Sequence, residues 1–314
     1  MQPRHLCAIV LIMALFGSAY PVGKLGVDQF PPFAFTTLRS ALLALALLPL
    51  WRLALPPPGN GPALAAFCAF MGVGVYATMY TALALADTVS PIIIGTQLSV
   101  PFAVLLGRIL LGERVRALTW AAIVAAFCGV VIIAAEPALA RDLPALAIIA
   151  ASALCYALAT LCARSLRNVS PFVMNGWMAA AAVPPMALLS GLFEQGQWEA
   201  IRSASATDWA VLLHAALAVS LIGHVGMFAL YRHYPVANVI PYYVLMPVFG
   251  IGFTLLLFTE IPSLQTLSGG AVVIIATWVV NRSTARGRSP VAVAGTPPAE
   301  APEVPPTTPP RADR

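Results

Sequence analysis

One apolar stretch, residues 229–260, constrains the fold of this chain more than any other part of the sequence. It contains an apolar run from Val236 to Phe258, interrupted by Pro241 and Pro247, and it closes on Glu260. A run of this length is long enough to cross a bilayer core of about 30 Å as one helix. The sequence therefore predicts a membrane-spanning helix in this stretch.

A second copy of the stretch lies in the first half of the chain, over residues 82–113. Both copies open with Ala-Leu, carry a proline close to a phenylalanine at mid-run, and close on a lone glutamate, Glu113 or Glu260. A second resemblance joins residues 16–24 to residues 156–164, each of which starts with an aromatic residue and ends on a basic one, Lys24 or Arg164. These shared features indicate that one module is used twice.

The composition excludes a soluble protein. The chain is 60% hydrophobic and only 9% charged, whereas a soluble protein carries about 25% charged residues. The basic residues lie singly between apolar runs, so the net charge of +5 indicates membrane topology and no nucleic-acid partner. All five cysteines lie in apolar runs without a CxxC pair, which favours small buried residues over a disulfide or metal site.

The apolar runs predict an all-α integral membrane protein with ten transmembrane helices. The predicted spans are 6–26, 33–51, 63–84, 89–111, 117–136, 143–163, 171–192, 209–230, 236–258 and 264–281. The first span has features of a signal peptide, but we interpret it as retained, because cleavage would remove part of a repeat. The proline-rich tail, residues 283–314, has little to bury and is predicted to be disordered.

The placement of Lys and Arg predicts the orientation. With the amino terminus inside, the cytoplasmic segments hold Arg4, Arg52, Arg108, Arg114, Arg116, Arg164, Arg167, Arg232, Arg282, Arg286 and Arg288. The outer loops hold only Arg141 and Arg202, with Lys24 near the outer end of the first span. Both termini are therefore predicted to be cytoplasmic. Each half has five spans, so the halves form two inverted repeats, residues 1–140 and 141–282, around a central cavity.

Several short stretches carry a family resemblance. They are Leu15-Phe16-Gly17-Ser18 with Lys24, Pro31-Pro32 with Leu38-Arg39, Leu111-Gly112-Glu113-Arg114, Leu230-Tyr231-Arg232-His233-Tyr234, and Pro247-Val248-Phe249 to Glu260. In their order and spacing the chain resembles the drug/metabolite transporter superfamily, in its EamA-type branch. The second half is most similar to the cysteine and O-acetylserine exporter. Phe16 stands where the family often has Trp, and Thr259 where it usually has Gly.

The resemblance implies a basket of ten helices around a central cavity, in a bacterial inner membrane, exporting amino acids or related metabolites. We expect a small-molecule substrate and the lipid bilayer as partners, and either a monomer or a homodimer. No cofactor is expected. A permease for drugs or other solutes is the close alternative. An intramembrane lipid-modifying enzyme is less favoured, since the sequence has no HExxH, DxD or phosphate loop.

The candidate substrate-binding residues are the polar and aromatic side chains predicted to lie inside spans, where an unpaired polar group is costly. They are Arg39, Tyr76, Tyr80, Gln97, Ser99, Tyr156, Thr160, His224, Tyr242 and Tyr243. Arg39 fits a substrate carboxylate, but we favour a structural role in which it reaches outward or pairs with Asp87 or Asp28.

The other candidates also carry two interpretations. Gln97 and Ser99 fit a ligand site or helix–helix hydrogen bonding, and Tyr242 and Tyr243 fit cavity walls or core packing. His224 is the one histidine predicted to lie deep in a span; a neutral, hydrogen-bonded ring is favoured over proton coupling.

Helix-breaking residues and charge placement bear on the mechanism. Pro91, Pro101, Pro241 and Pro247 interrupt the helical hydrogen-bond ladder and are candidate hinges for helices that rock between two cavity shapes. No carboxylate is predicted at mid-depth, so a carboxylate proton relay has no candidate. The sequence thus favours facilitated export by alternating access.

Overall fold

The computed structural model describes residues 2–51, 59–166, 168–223, 226–227, 230, 234 and 239–287. Every regular element within these residues is helical. The tail from residue 288 onward and His224 lie outside the described residues. The last helix continues to Gly287, past the predicted start of the disordered tail at residue 283.

The described part of the chain contains ten main helices with the order and spacing of the predicted spans. In the first half they are α1 (Pro3–Gln29), α2 (Pro32–Ala46), α3 (Gly61–Leu85), α4 (Ser90–Leu111) and α5 (Ala117–Ala134). In the second half they are α6 (Leu143–Arg164), α7 (Pro171–Phe193), α8 (Ala206–Gly223), α9 (240–258) and α10 (Leu264–Gly287).

The prediction of an all-α membrane protein is confirmed. Of the helices in the described residues, eight are long and apolar enough to cross a membrane, and the two shorter apolar ones are α2 and α9. Three short helices outside this set lie in the described residues: Leu48–Trp51 after α2, the 3₁₀ helix Pro137–Asp142 before α6, and Gln197–Ser203 after α7.

The helices pack in a pattern that maps onto itself when the two halves are exchanged. Helix α1 packs on α9, and its repeat partner α6 packs on α4. Likewise α3 contacts α6 and α7, while α8 contacts α1 and α2. The equivalent helices α5 and α10 pair with each other, as do α2 and α7. This exchange is the packing expected of a fold built from two repeats.

The α5–α10 pair crosses at two glycines. A Cβ atom on Gly129 would lie 2.8 Å from the carbonyl oxygen of Gly269, and a Cβ atom on Gly269 would lie 2.7 Å from the carbonyl oxygen of Gly129. Only glycine permits backbones to approach this closely, which is how membrane helices commonly gain packing contacts. The two glycines therefore allow the backbones of α5 and α10 to come into direct contact.

Equivalent helices are interrupted at equivalent places. Helix α3 contains a π segment, Cys68–Val75, and α8 contains another, His214–Gly223. Helix α4 contains a 3₁₀ segment, Thr96–Leu98, and α9 begins with one, Ile240–Val244. Such departures from α geometry leave carbonyl groups without their usual helical donors and are frequent at functional sites.

The four candidate hinge prolines take different positions. Pro101 and Pro247 lie in the third position after the 3₁₀ segments of α4 and α9, where a missing N–H leaves the carbonyl four residues earlier without a helical donor. Pro241 lies within the α9 segment itself. Pro91 occupies the first turn of α4, where the N–H would have no helical partner, so it begins a helix and interrupts none.

On one side of the protein, two glutamates that follow helices of the second half cap the starts of helices of the first half. Glu194, after α7, accepts hydrogen bonds from the amides of Phe33 (2.6 Å) and Ala34 (2.9 Å) at the start of α2. Glu260, after α9, accepts from the amides of Val89 (2.7 Å) and Ser90 (2.9 Å) at the start of α4. These amides are the donors that a helix leaves unpaired, and the positive end of the helix dipole favours a carboxylate there.

We call the side that holds Glu194 and Glu260 the capped face. Asp142 lies on the same side and accepts a 2.8 Å hydrogen bond from the amide of Asp87. Glu113 lies at the opposite end of the helices, where its carboxylate forms a 2.6 Å ion pair with Arg164. We call that side the Glu113 face. Glu113 and Glu260 thus lie on opposite faces, as inverted repeats require.

Candidate functional site

Arg39 is the centre of a buried polar cluster where the two halves meet. Its side chain extends from α2 and is only 2% exposed. The Nε atom donates to the carbonyl oxygen of Ala215 at 3.3 Å, and Nη2 donates to the Ser220 hydroxyl at 2.5 Å, both in the π segment of α8. The third nitrogen, Nη1, is buried without a hydrogen-bond partner. Arg39 thus links the two halves through hydrogen bonds, and its Nη1 group is left without an acceptor.

Aromatic rings form the wall beside this guanidinium. Its central carbon lies 3.8 Å from the ring centroid of Tyr76, and Tyr76 stacks on Tyr80 with centroids 6.2 Å apart. Phe35 meets Tyr80 edge-on at 4.9 Å. The electron-rich ring face attracts the cation, which offsets part of its desolvation. The candidates Arg39, Tyr76 and Tyr80 are therefore in one place.

Two further helices reach the same cluster. The Tyr20 hydroxyl of α1 lies within hydrogen-bonding reach of Thr96 in the 3₁₀ segment of α4 and is close to Tyr76. The next residue, Gln97, is 8% exposed, and its Nε2 atom is buried without a partner. Helices α1, α2, α3, α4 and α8 thus contribute to this polar region.

His214 opens the π segment of α8 and adds a titratable group. Its Nε2 atom lies 3.2 Å from the Ser18 hydroxyl of α1, and its Nδ1 atom is buried without a hydrogen-bond partner. His214 is thus a second histidine in a membrane helix to weigh against His224, which lies outside the described residues and whose role stays a prediction. Sequence reasoning missed it because an apolar run gives no sign of which histidine faces inward.

Arg39 has no carboxylate partner among the described residues. Asp28 forms a 2.9 Å ion pair with Lys24, one turn away on α1. Asp87 lies in the loop after α3, where its amide is bound by Asp142. The expected pairing of Arg39 with Asp28 or Asp87 is therefore not made. Arg39 instead bridges α2 and α8 through neutral groups, and its role stays a prediction.

The remaining candidates lie apart from this cluster or on their own helices. Tyr242 and Tyr243 pack with Ile9 and Met13 in a separate core near the start of α1. Tyr156 is 38% exposed. The other placements are as follows: Ser99 is half-buried at the start of the second segment of α4, Thr160 donates to the carbonyl of Ala157 at 2.7 Å, and the Pro241 side chain and His224 are outside the described residues.

The central cluster is closed in this structure. Two surface grooves, of about 680 and 540 Å³, lie instead on the capped face around residues 196–203 and the start of α2. The unpartnered nitrogens of Arg39 and Gln97 are out of reach of solvent. The arrangement can therefore hold a solute between the halves only after helices separate at one face.

Comparisons with known proteins agree with this architecture. Residues 4–135 and 143–282 both match the EamA-like transporter family, so the match covers each half in turn. No curated protein matches the sequence. A solved structure described as "Crystal structure of protein" superposes with a TM-score of 0.61 at 19% identity, covering 90% of this chain and 98% of that one. At that identity the likeness concerns the fold alone.

Proposed function

The chain belongs to the EamA-like transporter family of the drug/metabolite transporter superfamily, and from this premise we propose that it exports small metabolites, namely amino acids or their derivatives. The export of cysteine or O-acetylserine is the form suggested by the resemblance of the second half. The proposed location is a bacterial inner membrane, with both termini in the cytoplasm. The observation that carries the substrate proposal is the closed Arg39 cluster, which joins α2 and α3 to α8.

The mechanism we propose is alternating access between the two repeats, residues 1–140 and 141–282. The matched π segments of α3 and α8, and the matched 3₁₀ segments of α4 and α9, support it. Each interruption removes hydrogen bonds from its helix, and α3, α4 and α8 border the cluster, so bending there costs less than in a regular helix. If the helices separate at one face while they stay packed at the other, the cluster is exposed to one side of the membrane at a time.

Facilitated export needs no coupling ion. All the acidic residues in the described part of the chain lie at helix ends or in connecting segments, so the cluster has no carboxylate to carry a proton. An imposed pH gradient is therefore expected to leave transport by purified protein unchanged. Coupling that is lost in H214A or H224A protein would contradict this part of the proposal.

The test of function is counterflow in liposomes. Purified full-length protein in vesicles preloaded with unlabelled amino acids should accumulate ¹⁴C-labelled amino acids transiently, while empty vesicles should not. Expressing cells should also survive toxic amino-acid analogues at higher concentrations. Counterflow of a drug or another solute alone would assign the permease alternative, and chemical turnover of lipid would contradict the proposal.

A further inference from the structure

We propose that Arg39 is the receptor for a carboxylate group of the transported solute, bound through its free Nη1 nitrogen. This inference rests on the proposed transport function and names the chemical group that the site recognises. The starting observation is a guanidinium on a side chain only 2% exposed, with two nitrogens engaged and the third without a partner. A buried donor without an acceptor is rare in proteins. A bound solute that is released at the end of each transport cycle would supply the missing acceptor.

The acids in the described part of the chain do not supply that partner. Nine of the 12 acidic residues lie there, and the other three are in the tail. Seven of the nine are engaged elsewhere: Asp28 with Lys24, Glu113 with Arg164, Glu136 with Ser263, Asp142 with Asp87, Glu194 with Phe33, Asp208 with Ser205, and Glu260 with Val89. A buried charge without a counter-charge is unfavourable, so the site favours an incoming anion.

The geometry favours a carboxylate over a phosphate. Ser220 and the Ala215 carbonyl hold Nε and Nη2, and the ring of Tyr76 lies across one face of the guanidinium. One edge and one positive charge therefore remain, which match one carboxylate with one negative charge. A phosphate dianion would bring more charge and more acceptors than this edge can satisfy.

The position of Arg39 links binding to the movement of helices. Its fixed partners lie in the π segment of α8, in the second half, while its backbone lies in α2, in the first half. Helix α7, the repeat partner of α2, has no charged residue, so within this helix pair only α2 holds a guanidinium. A carboxylate bound at Nη1 would neutralise the cation that bridges the halves and would ease their separation.

The experiment compares acids with their amides on full-length protein. Counterflow of a pool of ¹⁴C-labelled L-amino acids is measured against unlabelled amino acids and the matching amino-acid amides as competitors. The same compounds, with methyl phosphate as a third arm, are tested for thermal stabilisation of the detergent-purified protein. We expect acids to compete at concentrations about 30-fold or more below those of their amides, because an amide leaves the buried charge unpaired.

Two variants and a control separate recognition from folding. In R39M protein the acid-to-amide preference should fall to within about threefold of unity, while R39K should retain part of it because the charge is kept. R164M, the same substitution at the ion pair with Glu113, should keep the wild-type preference. Comparable elution of the variants in size-exclusion chromatography shows that they fold, and the wild-type preference is informative even if R39M does not fold.

The outcomes separate this inference from the proposed function. Equal competition by acids and amides in wild-type protein would overturn the Arg39 inference while leaving amino-acid export standing, and so would a preference unchanged in R39M. Stabilisation by acids that depends on Arg39, without counterflow of amino acids, would support the site and reject the amino-acid proposal. Stabilisation by methyl phosphate but not by acids would also reject the carboxylate assignment.

Discussion

Glu113 and Glu260 close equivalent helices, α4 and α9, on opposite faces of the protein. Glu260 accepts hydrogen bonds from two backbone amides at the start of α4, whereas Glu113 forms an ion pair with Arg164 at the end of α6. The same residue type at the same place in the repeat thus stabilises a helix terminus on one side and pairs with a side chain on the other. The two repeats thus share the arrangement of their helices, but the interactions of the equivalent glutamates differ.

The Gly129–Gly269 contact, where the equivalent helices α5 and α10 pack together, should give the largest effect on stability. Substitution of either glycine by leucine should destabilise the protein by about 3 kcal/mol or more, because the added Cβ meets backbone atoms that cannot move aside. The two variants should lose similar amounts of stability, since each glycine meets the carbonyl of the other. Unfolding in mixed detergent and SDS micelles measures the difference.

Gly252 supplies the matched control for this pair. It lies in α9 with no atom within 4 Å of the place that a Cβ would occupy, so G252L should leave the unfolding midpoint close to that of the wild type. A loss in G129L much larger than in G269L would show that the crossing is not symmetric.

The two glutamates should differ when each is replaced by glutamine. E260Q should cost about 1–2 kcal/mol, because two charge-assisted hydrogen bonds to a helix start are weakened. E113Q should cost less than about 1 kcal/mol, since its ion pair with Arg164 is partly exposed. Thermal unfolding of the purified variants compares them, and an equal loss would remove the distinction between the two faces.

The residue before each glutamate gives a smaller test with opposite signs. Gly112 ends α4 with φ of 67°, and Thr259 ends α9 with φ of 54°, so both are in the left-handed region that favours glycine. T259G should stabilise the protein, and G112T should destabilise it, each by about 1 kcal/mol. A Cβ at Gly112 meets no atom within 4 Å, so backbone strain alone accounts for the loss. Thermal unfolding of the two variants beside the wild type measures both shifts, and shifts of the same sign would contradict the prediction.

Salt should produce the smallest effect and should act on one glutamate. Raising the ionic strength screens the partly exposed Glu113–Arg164 pair, so R164Q should cost less than about 0.5 kcal/mol at high salt, where the wild-type pair is itself weakened. The loss of stability in E260Q should change little with salt, because the partners of Glu260 are backbone amides, which carry no net charge. Unfolding curves at low and high salt distinguish the two cases.

The sequence was sufficient for the fold because span number and order follow from the lengths of apolar runs. The observed helix ends differ from the predicted ones by a few residues. Helix α10, for example, continues to Gly287, through a polar segment in which no apolar residues mark its end. The pairing of equivalent helices followed from the repeat. Nothing in a run of apolar residues, however, specifies which side chain faces the centre.

The site was predictable only where a residue type is unusual in a membrane. Arg39 stood out because a buried guanidinium is costly, but its partners on α8 lie 176 and 181 residues away and follow from packing alone. Ser18, Tyr20 and His214 are not unusual enough in an apolar run for the sequence to mark them as part of the site. Carboxylates that cap a distant helix, such as Glu194 and Glu260, resemble ordinary loop residues in the sequence.

The caps have a consequence for how such a protein could arise from a shorter ancestor. Glu194 and Glu260 come from the second half, and the amides that they cap belong to the first. A gene that encoded only the first half would therefore produce a subunit whose helix starts need an outside acceptor. In an inverted pair of identical first halves, Glu113 could take the place that Glu260 has here at the start of α4. Residues 47–60, which follow α2, include no acidic residue to replace Glu194, so the start of α2 would lack its cap. Separate expression of the two halves should therefore favour the mixed pair over a pair of first halves.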